Sequence, residues 1–325
     1  MDNIFVYDPE TLALREVVLP RKLNSCIWNR RFYDAGSFQL NLKATGLRLG
    51  DIIQQGDNAG IVMKIVVNFS GVVVYGYTLN AITKFRHIFK AASYTGTPEQ
   101  IFTAIATEVL TKGDRAIPTL SVLTGQTSNA TSYTLSFENN NVFDKLQEFS
   151  RLCEVSYDVQ FSGDNLVFKC LQGRDMTDFL MFGRRYRTVD SMEYTQDDYN
   201  SQNVIFSSYE KANGTTGDTQ TVYTTTGAAT GFLRREAGVT NYEEAETAIA
   251  NNKLAQSLKG TANEKRKYKV DWMLGDYVTV AFEDLITEKQ IVEVQEVYEK
   301  SNTTILPIFG EEKQNPIRKI MRNGG

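Results

Sequence analysis

The single histidine of this 325-residue chain, His87, limits the chemistry that its side chains could perform. A metal centre with two histidine ligands cannot be built within one chain. A serine or cysteine nucleophile activated by histidine could be built only around His87, because such a nucleophile needs its base beside it. His87 lies in the segment KFRHIFKA, at the end of a strand-rich region. We interpret it as a structural or solvated residue.

Carboxylates are the next candidates for chemistry, and 39 acids are present. They cluster at Asp197-Asp198, Glu243-Glu244-Glu246 and Glu283-Asp284. A glycosidase needs two carboxylates about 5–9 Å apart across the bond, and a chain with this many acids offers such pairs by chance. Residues 243–246 lie in the first turn of a predicted helix, where negative charge complements the helix dipole. We assign the clusters to capping and solvation and predict no catalytic residue and no enzyme activity.

Glycine-rich and cysteine motifs indicate no cofactor site and no metal site. The segment GTTGDTQ at 214–220 lacks the Gly-Lys-Ser/Thr ending of a phosphate-binding loop. The three cysteines, Cys26, Cys153 and Cys170, form no Cys-x-x-Cys pair. An odd number of cysteines without a secretion signal is typical of reduced thiols in a cytoplasmic setting. Cys153 and Cys170 fall on apolar faces and are predicted to be buried small hydrophobes.

The charge balance, 35 Lys and Arg against 39 Asp and Glu, excludes a generally basic nucleic-acid coat. Basic residues cluster at Arg30-Arg31, Arg184-Arg185-Arg187, Arg234-Arg235, Lys265 to Lys269 and Arg318-Lys319-Arg322. Acids offset them and no helix carries a DNA-reading pattern, so we interpret them as solvated faces or interface ion pairs. The most apolar stretch, 61–77, is too short and too polar to span a bilayer, and no membrane segment is predicted.

The elements that must position these residues are mostly short strands. Residues 1–85 show hairpin signals every 8–12 residues, which favour a first small β-barrel domain. Residues 86–185 form a mixed α/β insertion. Its first helix opens at the capping box Thr97-Pro98-Glu99-Gln100, and its second helix starts at Asn141. A hairpin, VSYDVQF followed by LVFKCL, closes the insertion.

A second β-rich part is predicted over 186–212 and 262–310, including a strand KYKVDW at 267–272. It is interrupted at 213–261 by a Thr/Gly-rich tract and a helix over 242–258 that stops at Gly260. Residues 311–325 form a basic tail that we expect to be flexible. The predicted fold class is therefore α+β and β-rich, with two small β-barrel-like domains interrupted by α/β and helical insertions.

Two motifs, one near each end of the chain, share a pattern with a known family. The segment IWNRRFYDAGSFQL at 27–40 shows an aromatic residue, two arginines, an aromatic residue, a glycine and then a strand. The segments LGDYVTV and LPIFG lie in the closing strands. With the helix that ends near Cys153, their order resembles the siphophage Gp37-like tail protein family from about residue 3 to 310. The family-motif residues are Trp28, Arg30, Arg31, Gly36, Phe38, Gly275, Asp276, Pro307, Phe309 and Gly310.

The resemblance implies a structural hub of a phage tail tip or baseplate, similar in fold to the hub proteins of contractile tails. Such hubs are trimers in which each chain supplies two similar β-barrel domains, so that a pseudo-sixfold ring faces a hexameric tail tube. The implied partners are two further copies of the chain, a tail-tube or distal tail protein, tip, spike or fibre proteins, and DNA that passes through the lumen. The implied location is the virion tail tip, after synthesis in the host cytoplasm.

Two further expectations and two alternatives accompany this hypothesis. We expect carboxylates to face the channel and repel DNA phosphates. We expect any fibre, spike or hydrolase module on a separate chain, because little sequence follows Gly310. The first alternative is a tail component that binds, or also hydrolyses, receptor or cell-wall carbohydrate; the 16 Tyr, 18 Phe and many acids favour it, and the lack of a catalytic motif opposes it. The second is a hub of a phage-derived bacteriocin or injection device, which would share the mechanism.

Overall fold

In a computed structural model of the chain, the described residues are 2–69, 71–197, 201–207, 221–224, 230–239, 255–263, 265–300 and 302–310. The strands before the first helix are Ile4–Tyr7 (β1), Leu14–Val18 (β2), Leu23–Arg31 (β3), Ser37–Leu42 (β4), Ile52–Gln55 (β5), Asn58–Asn68 (β6), Gly71–Thr78 (β7), His87–Ile88 (β8) and Ala92–Gly96 (β9). The α/β insertion contains Pro98–Leu110 (α1), Ser121–Val122 (β10), Tyr133–Phe137 (β11), Asn140–Asn141 (β12), Val142–Cys153 (α2), Val155–Ser162 (β13) and Asn165–Gln172 (β14). The remaining strands are Met181–Phe182 (β15), Val189–Asp197 (β16), Val204–Ser207 (β17), Thr221–Thr224 (β18), Glu236–Val239 (β19), Ala255–Ala262 (β20), Tyr277–Phe282 (β21), Leu285–Glu299 (β22) and Thr303–Phe309 (β23). The predicted β-rich α+β class is confirmed.

Within the described ranges, thirteen strands form one sheet, and it contains strands from both β-rich parts of the chain. The order is β16-β20-β23-β22-β3-β4-β7-β6-β5-β1-β2, with β21 beside β22 and β15 beside β21. The contact that joins the two parts is the antiparallel pair β3–β22, in which Trp28 lies opposite Glu296 and Ile27 opposite Val297. Strands near both ends of the sequence are therefore direct neighbours.

The first compact unit of the chain comprises Met1–Met192 and Lys259–Phe309. The second unit comprises Glu193–Leu258 and Gly310–Gly325. In the second unit β17 pairs antiparallel with β18 and parallel with β19, and Val204 and Ile205 are buried. The predicted domain boundaries at 85, 185, 212 and 261 stay predictions.

The strands of residues 1–85 alternate apolar and polar residues, as predicted, and they form the first half of the large sheet. In β4, Phe38, Leu40 and Leu42 are buried while the residues between them are half-buried. Each strand thus turns one face to an apolar cluster, which is the geometry that a period of two produces. The members of this cluster are Ile4, Val6, Val18, Leu23, Cys26, Trp28, Phe38, Leu40, Leu42, Leu47, Ile53, Val62, Val72 and Val74.

Local signals fix the helices of the α/β insertion where the sequence predicted them. Thr97 caps α1: its hydroxyl accepts a hydrogen bond from the Gln100 backbone, and the Gln100 side-chain oxygen accepts one from the Thr97 backbone N–H. Asn141 caps α2 by accepting from the backbone of Phe143. Both helices pack against the β13–β14 hairpin in an apolar cluster that we call the insertion core. Its members in these four elements are Ile101, Phe102, Ile105, Ala106, Val109, Leu110, Val142, Leu146, Phe149, Cys153, Val155, Tyr157, Val159, Leu166, Phe168 and Cys170.

Two predicted elements are wrong in part. Residues 267–272 form a turn rather than a strand, with only an isolated bridge between Tyr268 and Trp272. The helix predicted over 242–258 lies largely outside the described residues, but its last four positions belong to strand β20, which also contains Gly260. Pairing within the large sheet overrides the helical pattern there. Of the Thr/Gly-rich tract, residues 221–224 form β18, while the other residues from 213 to 229 and the tail 311–325 lie outside the described residues.

Candidate functional site

The first family motif contributes two aromatic rings to the sheet core. Trp28 is fully buried on β3, its Nε1 donates to Gln55 Oε1 at 2.7 Å, and its ring lies 4.9 Å from that of Phe38. The Phe38 ring occupies space left by two glycines, because a Cβ at Gly60 or Gly76 would approach it to 2.7 or 2.3 Å. The aromatic residues of the motif therefore set the packing of β3, β4, β6 and β7.

Arg30 connects three parts of the chain: its own strand β3, the start of β6 and strand β13 of the α/β insertion. One guanidinium nitrogen donates to Asn58 Oδ1 at 2.9 Å, and another forms an ion pair with Asp158 in the α/β insertion. Burial alone would lower the pKa of Arg30, but attraction to the carboxylates of Asp158 and Glu296 raises it above its usual range. Arg30 is therefore a permanent, partly buried cation that ties β3 to the insertion.

Glu296 is the central acid of the same network, and only 1% of it is exposed. Its Oε2 accepts hydrogen bonds from Asn58 at 2.9 Å and from the Tyr298 hydroxyl at 2.6 Å. Its Oε1 lies 3.4 Å from the ammonium of Lys269, which also lies 3.8 Å from Asp57. Burial, followed by the charge of Glu296, raises the pKa of Tyr298, so this hydroxyl stays a donor. We call the group formed by Arg30, Asn58, Asp158, Lys269 and Glu296 the sheet junction.

Arg31 and Gly36 fix the edge of the same motif. Arg31 Nε donates to Glu293 Oε2 on β22 at 2.7 Å, and its guanidinium lies 3.8 Å from Asp34. A Cβ at Gly36 would stand 2.3 Å from the carbonyl oxygen of Asn29, so the turn between β3 and β4 has room only for glycine. Both residues therefore serve the pairing of β3 with its neighbours.

The closing motif is built around a buried carboxylate. Asp276 is 1% exposed; it accepts from the guanidinium of Arg174 at 2.6 and 3.1 Å and from the Met273 backbone at 2.8 Å. Gly275 has a φ of 98°, and a Cβ there would meet the Phe32 ring at 2.4 Å. The turn before β21 thus needs glycine for its backbone conformation and for its close approach to the first motif.

The last three residues of the closing motif lie at the end of β23. Phe309 is fully buried and its ring lies 5.0 Å from that of Phe182. Pro307 lies opposite Val294 of β22 and is buried. Gly310 follows with a φ of 87°. The ten motif residues are thus placed in packing and turn positions, and their significance as a family motif stays a prediction.

A cavity of about 330 Å³ opens at the sheet junction, and Glu296 forms part of its wall. The loop at 267–272 shapes it: Lys269 has a φ of 66°, its backbone N–H donates to Trp272, and the Asp271 side chain accepts from the Lys267 backbone. Within the described residues, Oε1 of Glu296 accepts no hydrogen bond. The lining residues are Ala262, Asn263, Arg266, Lys267, Tyr268, Lys269, Trp272, Glu296, Tyr298, Thr303 and Ile305.

The other candidate residues are not assembled into a reactive site. His87 Nε2 lies 2.9 Å from Asn139 Oδ1, and its ring lies 4.5 Å from that of Phe89. Glu283 and Asp284 are exposed in the turn between β21 and β22. The side chains of the acid clusters at 197–198 and 243–246 lie outside the described residues. All three cysteines are buried, including Cys153 and Cys170 as predicted.

Among the described residues, no group of three or more histidine, cysteine, aspartate or glutamate side chains could hold a metal ion. No helix in the described ranges has the length and hydropathy needed to cross a membrane.

Sequence reasoning missed the partners of Arg30, although signals for them exist. Asp158 interrupts the apolar run of β13, and Glu296 shares the core face of β22 with Tyr298. A lone acid on the buried face of a strand indicates a paired charge. The sequence separations of 128 and 238 residues, for Arg30–Asp158 and Asn58–Glu296, hid the pairing itself.

Residues 3–311 match the family model described as Siphovirus ReqiPepy6 Gp37-like protein. The chain belongs to this family. The Gp37-like proteins are structural phage tail proteins, so this one is a component of the virion tail. The comparison with curated proteins gives no match.

Solved phage tail proteins share the fold of this Gp37-like chain. Prophage tail protein gp18 from Listeria monocytogenes EGD-e has 15% identity and a TM-score of 0.55, over 99% of this chain and 98% of that one. The tail protein from Neisseria meningitidis MC58 has 14% identity and a TM-score of 0.55, over 95% and 96%. The 43 kDa tail protein of prophage MuSo2 from Shewanella oneidensis has 13% identity and a TM-score of 0.52, over 95% and 98%. At these identities the similarity shows a common fold.

Proposed function

We propose that this Gp37-like protein is the structural hub of a phage tail tip or baseplate. Three copies form a ring that joins the tail tube to tip, spike or fibre proteins and encloses the channel for DNA. Its work is mechanical and connective rather than catalytic. The observation that carries the proposal is the pairing of β3 with β22, which joins the two β-rich parts of each chain into one sheet.

The sheet junction supports this role because it holds the two β-rich parts and the α/β insertion together within the first compact unit. A trimer that faces a sixfold tube must present two similar surfaces from each chain at a fixed spacing. Arg30 and Glu296 secure the two β-rich parts to each other beneath β3–β22, and Asp158 secures the α/β insertion to them. A ring built from such subunits keeps its diameter when the tube docks.

The same features support a non-enzymatic role. Asp158 and Asp276 form ion pairs with Arg30 and Arg174 at positions that secure the fold. Glu296 is likewise engaged, with Asn58, Tyr298 and Lys269. Carboxylates bound in this way are held by the fold rather than presented to a substrate.

The proposal is tested by negative-stain electron microscopy and sedimentation velocity on the purified chain, alone and with its tail-tube protein. We expect threefold rings with an open centre and the mass of a trimer. Monomers that still ignore the tube protein would overturn the hub. Loss of turbidity from host cell wall, abolished by a single Asp or Glu substitution, would instead support the carbohydrate-processing alternative.

A further inference from the structure

Two surfaces at opposite ends of β22 differ in charge and in shape. One is the cavity at the sheet junction, which we call the basic cavity and define by Arg266, Lys267, Lys269 and Ile305 of its lining. The other is the hairpin tip between β21 and β22, residues 283–286, which we call the acidic turn. One surface is concave and cationic, and the other projects from the sheet and is anionic.

The positive charge on the rim of the basic cavity is only partly neutralised. Lys269 is engaged by Glu296 and Asp57, at 3.4 and 3.8 Å. Arg266, by contrast, has only a long contact of 3.9 Å with Asp271. The ammonium group of Lys267 is exposed and has no ion-pair partner within the part of the chain that the structure describes. A carboxylate that approached this rim would meet Lys267 and could compete with Asp271 for Arg266.

The acidic turn combines charge with exposed apolar surface. Glu283 and Asp284 are exposed, and Glu283 has a φ of 52°. The next two side chains, Leu285 and Ile286, are 42% and 65% exposed. A turn that serves only solvation has no use for adjacent exposed leucine and isoleucine. The basic cavity offers a matching apolar wall at Ile305, beside its cationic rim.

The acidic turn cannot reach the basic cavity of its own chain. Eleven residues of β22 separate Leu285 from Glu296, which is about 36 Å of extended strand at about 3.3 Å per residue. The two surfaces therefore meet only between copies. A contact between two different surfaces of identical chains is heterologous, and repeated contacts of this kind close into a ring when the rotation allows it.

We propose that the acidic turn of one subunit inserts into the basic cavity of the next, with Glu283 and Asp284 facing Arg266 and Lys267. The apolar side chain of Ile286, the more exposed of the two at 65%, then packs toward Ile305, while Leu285 points to the other face of the strand. This contact rests on the proposed ring and names the surfaces that close it. It also gives the Lys265 to Lys269 cluster a role as interface ion pairs, one of the two interpretations that the sequence left open.

The test is a charge exchange followed by sedimentation velocity on the full chain. We expect Glu283→Lys with Asp284→Lys to weaken self-association at least about a hundredfold, because like charges then face each other across the interface. Arg266→Glu with Lys267→Glu should do the same. The four substitutions together should restore association to within about tenfold of the unchanged chain. Asp114→Lys with Asp164→Lys, which alters exposed turns elsewhere by the same charge, is the matched control and should change little.

The outcomes separate this contact from the ring itself. Trimers that persist in both reversed variants would overturn the contact and leave the hub in place. Reversed variants that dissociate without rescue by the combined exchange would also overturn it, since the two surfaces would then have other partners. An unchanged chain that stays monomeric with the tube protein overturns the ring and the contact with it. Urea unfolding of each variant should match that of the unchanged chain, because all four residues lie at the surface.

Discussion

The insertion core and the sheet junction are both buried, but different forces hold them. In the insertion core, aromatic rings pack against one another: Phe102 lies 5.3 Å from Phe149, and Tyr157 lies 5.2 Å from Phe168. In the sheet junction, the partly exposed cations Arg30 and Lys269 pair with the buried carboxylates of Asp158 and Glu296. Apolar packing thus holds together the α/β insertion, which is one continuous segment. Ion pairs hold together the strands of the sheet junction, which are far apart in the sequence.

The insertion core and the sheet junction should also respond differently to substitutions. An apolar core loses stability in proportion to the volume removed and tolerates swaps of similar size. A buried ion pair contributes little net stability compared with an apolar pair, yet loss of one partner leaves a charge without compensation. We therefore expect the sheet junction to contribute to the choice of which strands meet, because a mismatch would leave a buried charge without its partner.

The largest expected effect comes from removing the cation of the sheet junction. Arg30→Ala leaves Asp158 buried without its partner, and we expect the free energy of unfolding to fall by about 3–5 kcal/mol. Urea unfolding followed by fluorescence measures it. Replacing both partners, Arg30→Met with Asp158→Leu, should recover most of the loss. A loss below about 1 kcal/mol for the single change would show that the junction does not secure the sheet.

The insertion core should lose stability at alkaline pH through one of its buried thiols. Burial raises the pKa of the Cys153 thiol from 9.0 to about 11. The unfolded chain releases this proton above about pH 9 while the folded chain keeps it, so stability should fall between pH 9 and 11, by up to roughly 2–3 kcal/mol. Urea unfolding at pH 8.5 and pH 11 measures the fall. It should be smaller in Cys153→Ala, and an equal fall in both proteins would contradict the assignment.

Adding a methyl group at a tightly packed glycine tests the packing of the large sheet and leaves its charged residues unchanged. The added Cβ of Gly76→Ala would stand 2.0 Å from the Ile61 carbonyl oxygen and 2.3 Å from the Phe38 ring. We expect a loss of about 1–3 kcal/mol in thermal or urea unfolding, because the strands must separate to admit it. Gly238→Ala is the control: among the described residues no atom lies within 4 Å of the Cβ that it would add on β19, and it should change stability by less than about 0.5 kcal/mol.

The smallest effect should come from the helix cap that borders the insertion core. Thr97→Ala removes the acceptor for the Gln100 backbone, and the expected loss is about 1 kcal/mol. Thr97→Ser keeps the hydroxyl and should retain most of the stability. If both variants lost the same amount in urea unfolding, the methyl group rather than the cap would be responsible.

The same contrast explains what the sequence could predict. Thr97, Pro98 and Gln100 are adjacent, so the start of α1 could be predicted from the sequence, as could the Asn141 cap. The β13–β14 hairpin followed from two apolar runs and the turn between them. All of these depend on residues that interact within a few positions of one another.

The sheet junction and the basic cavity could not be predicted in this way. Residues 267–272 alternate Tyr268, Val270 and Trp272 and so resemble a strand. The observed turn is instead set by the Asp271 side chain, which accepts from the Lys267 backbone, and by Lys269, which reaches Glu296. Val270 is consequently 70% exposed. The conformation of this loop depends on the contact of Lys269 with Glu296 of β22, and the periodicity of residues 267–272 carries no information about that contact.

The pairing of β3 with β22 also has a consequence during synthesis. Arg31 and Glu293 are 262 residues apart. At about 5–20 residues per second, roughly 13 to 52 s pass between the emergence of one and the other from the ribosome. Throughout that interval β3 has an open edge, which can recruit the wrong strand from its own chain or from a neighbouring nascent chain. Strand β22 therefore covers this edge late, and the subunit becomes competent to assemble only after residues 285–299 have been synthesised.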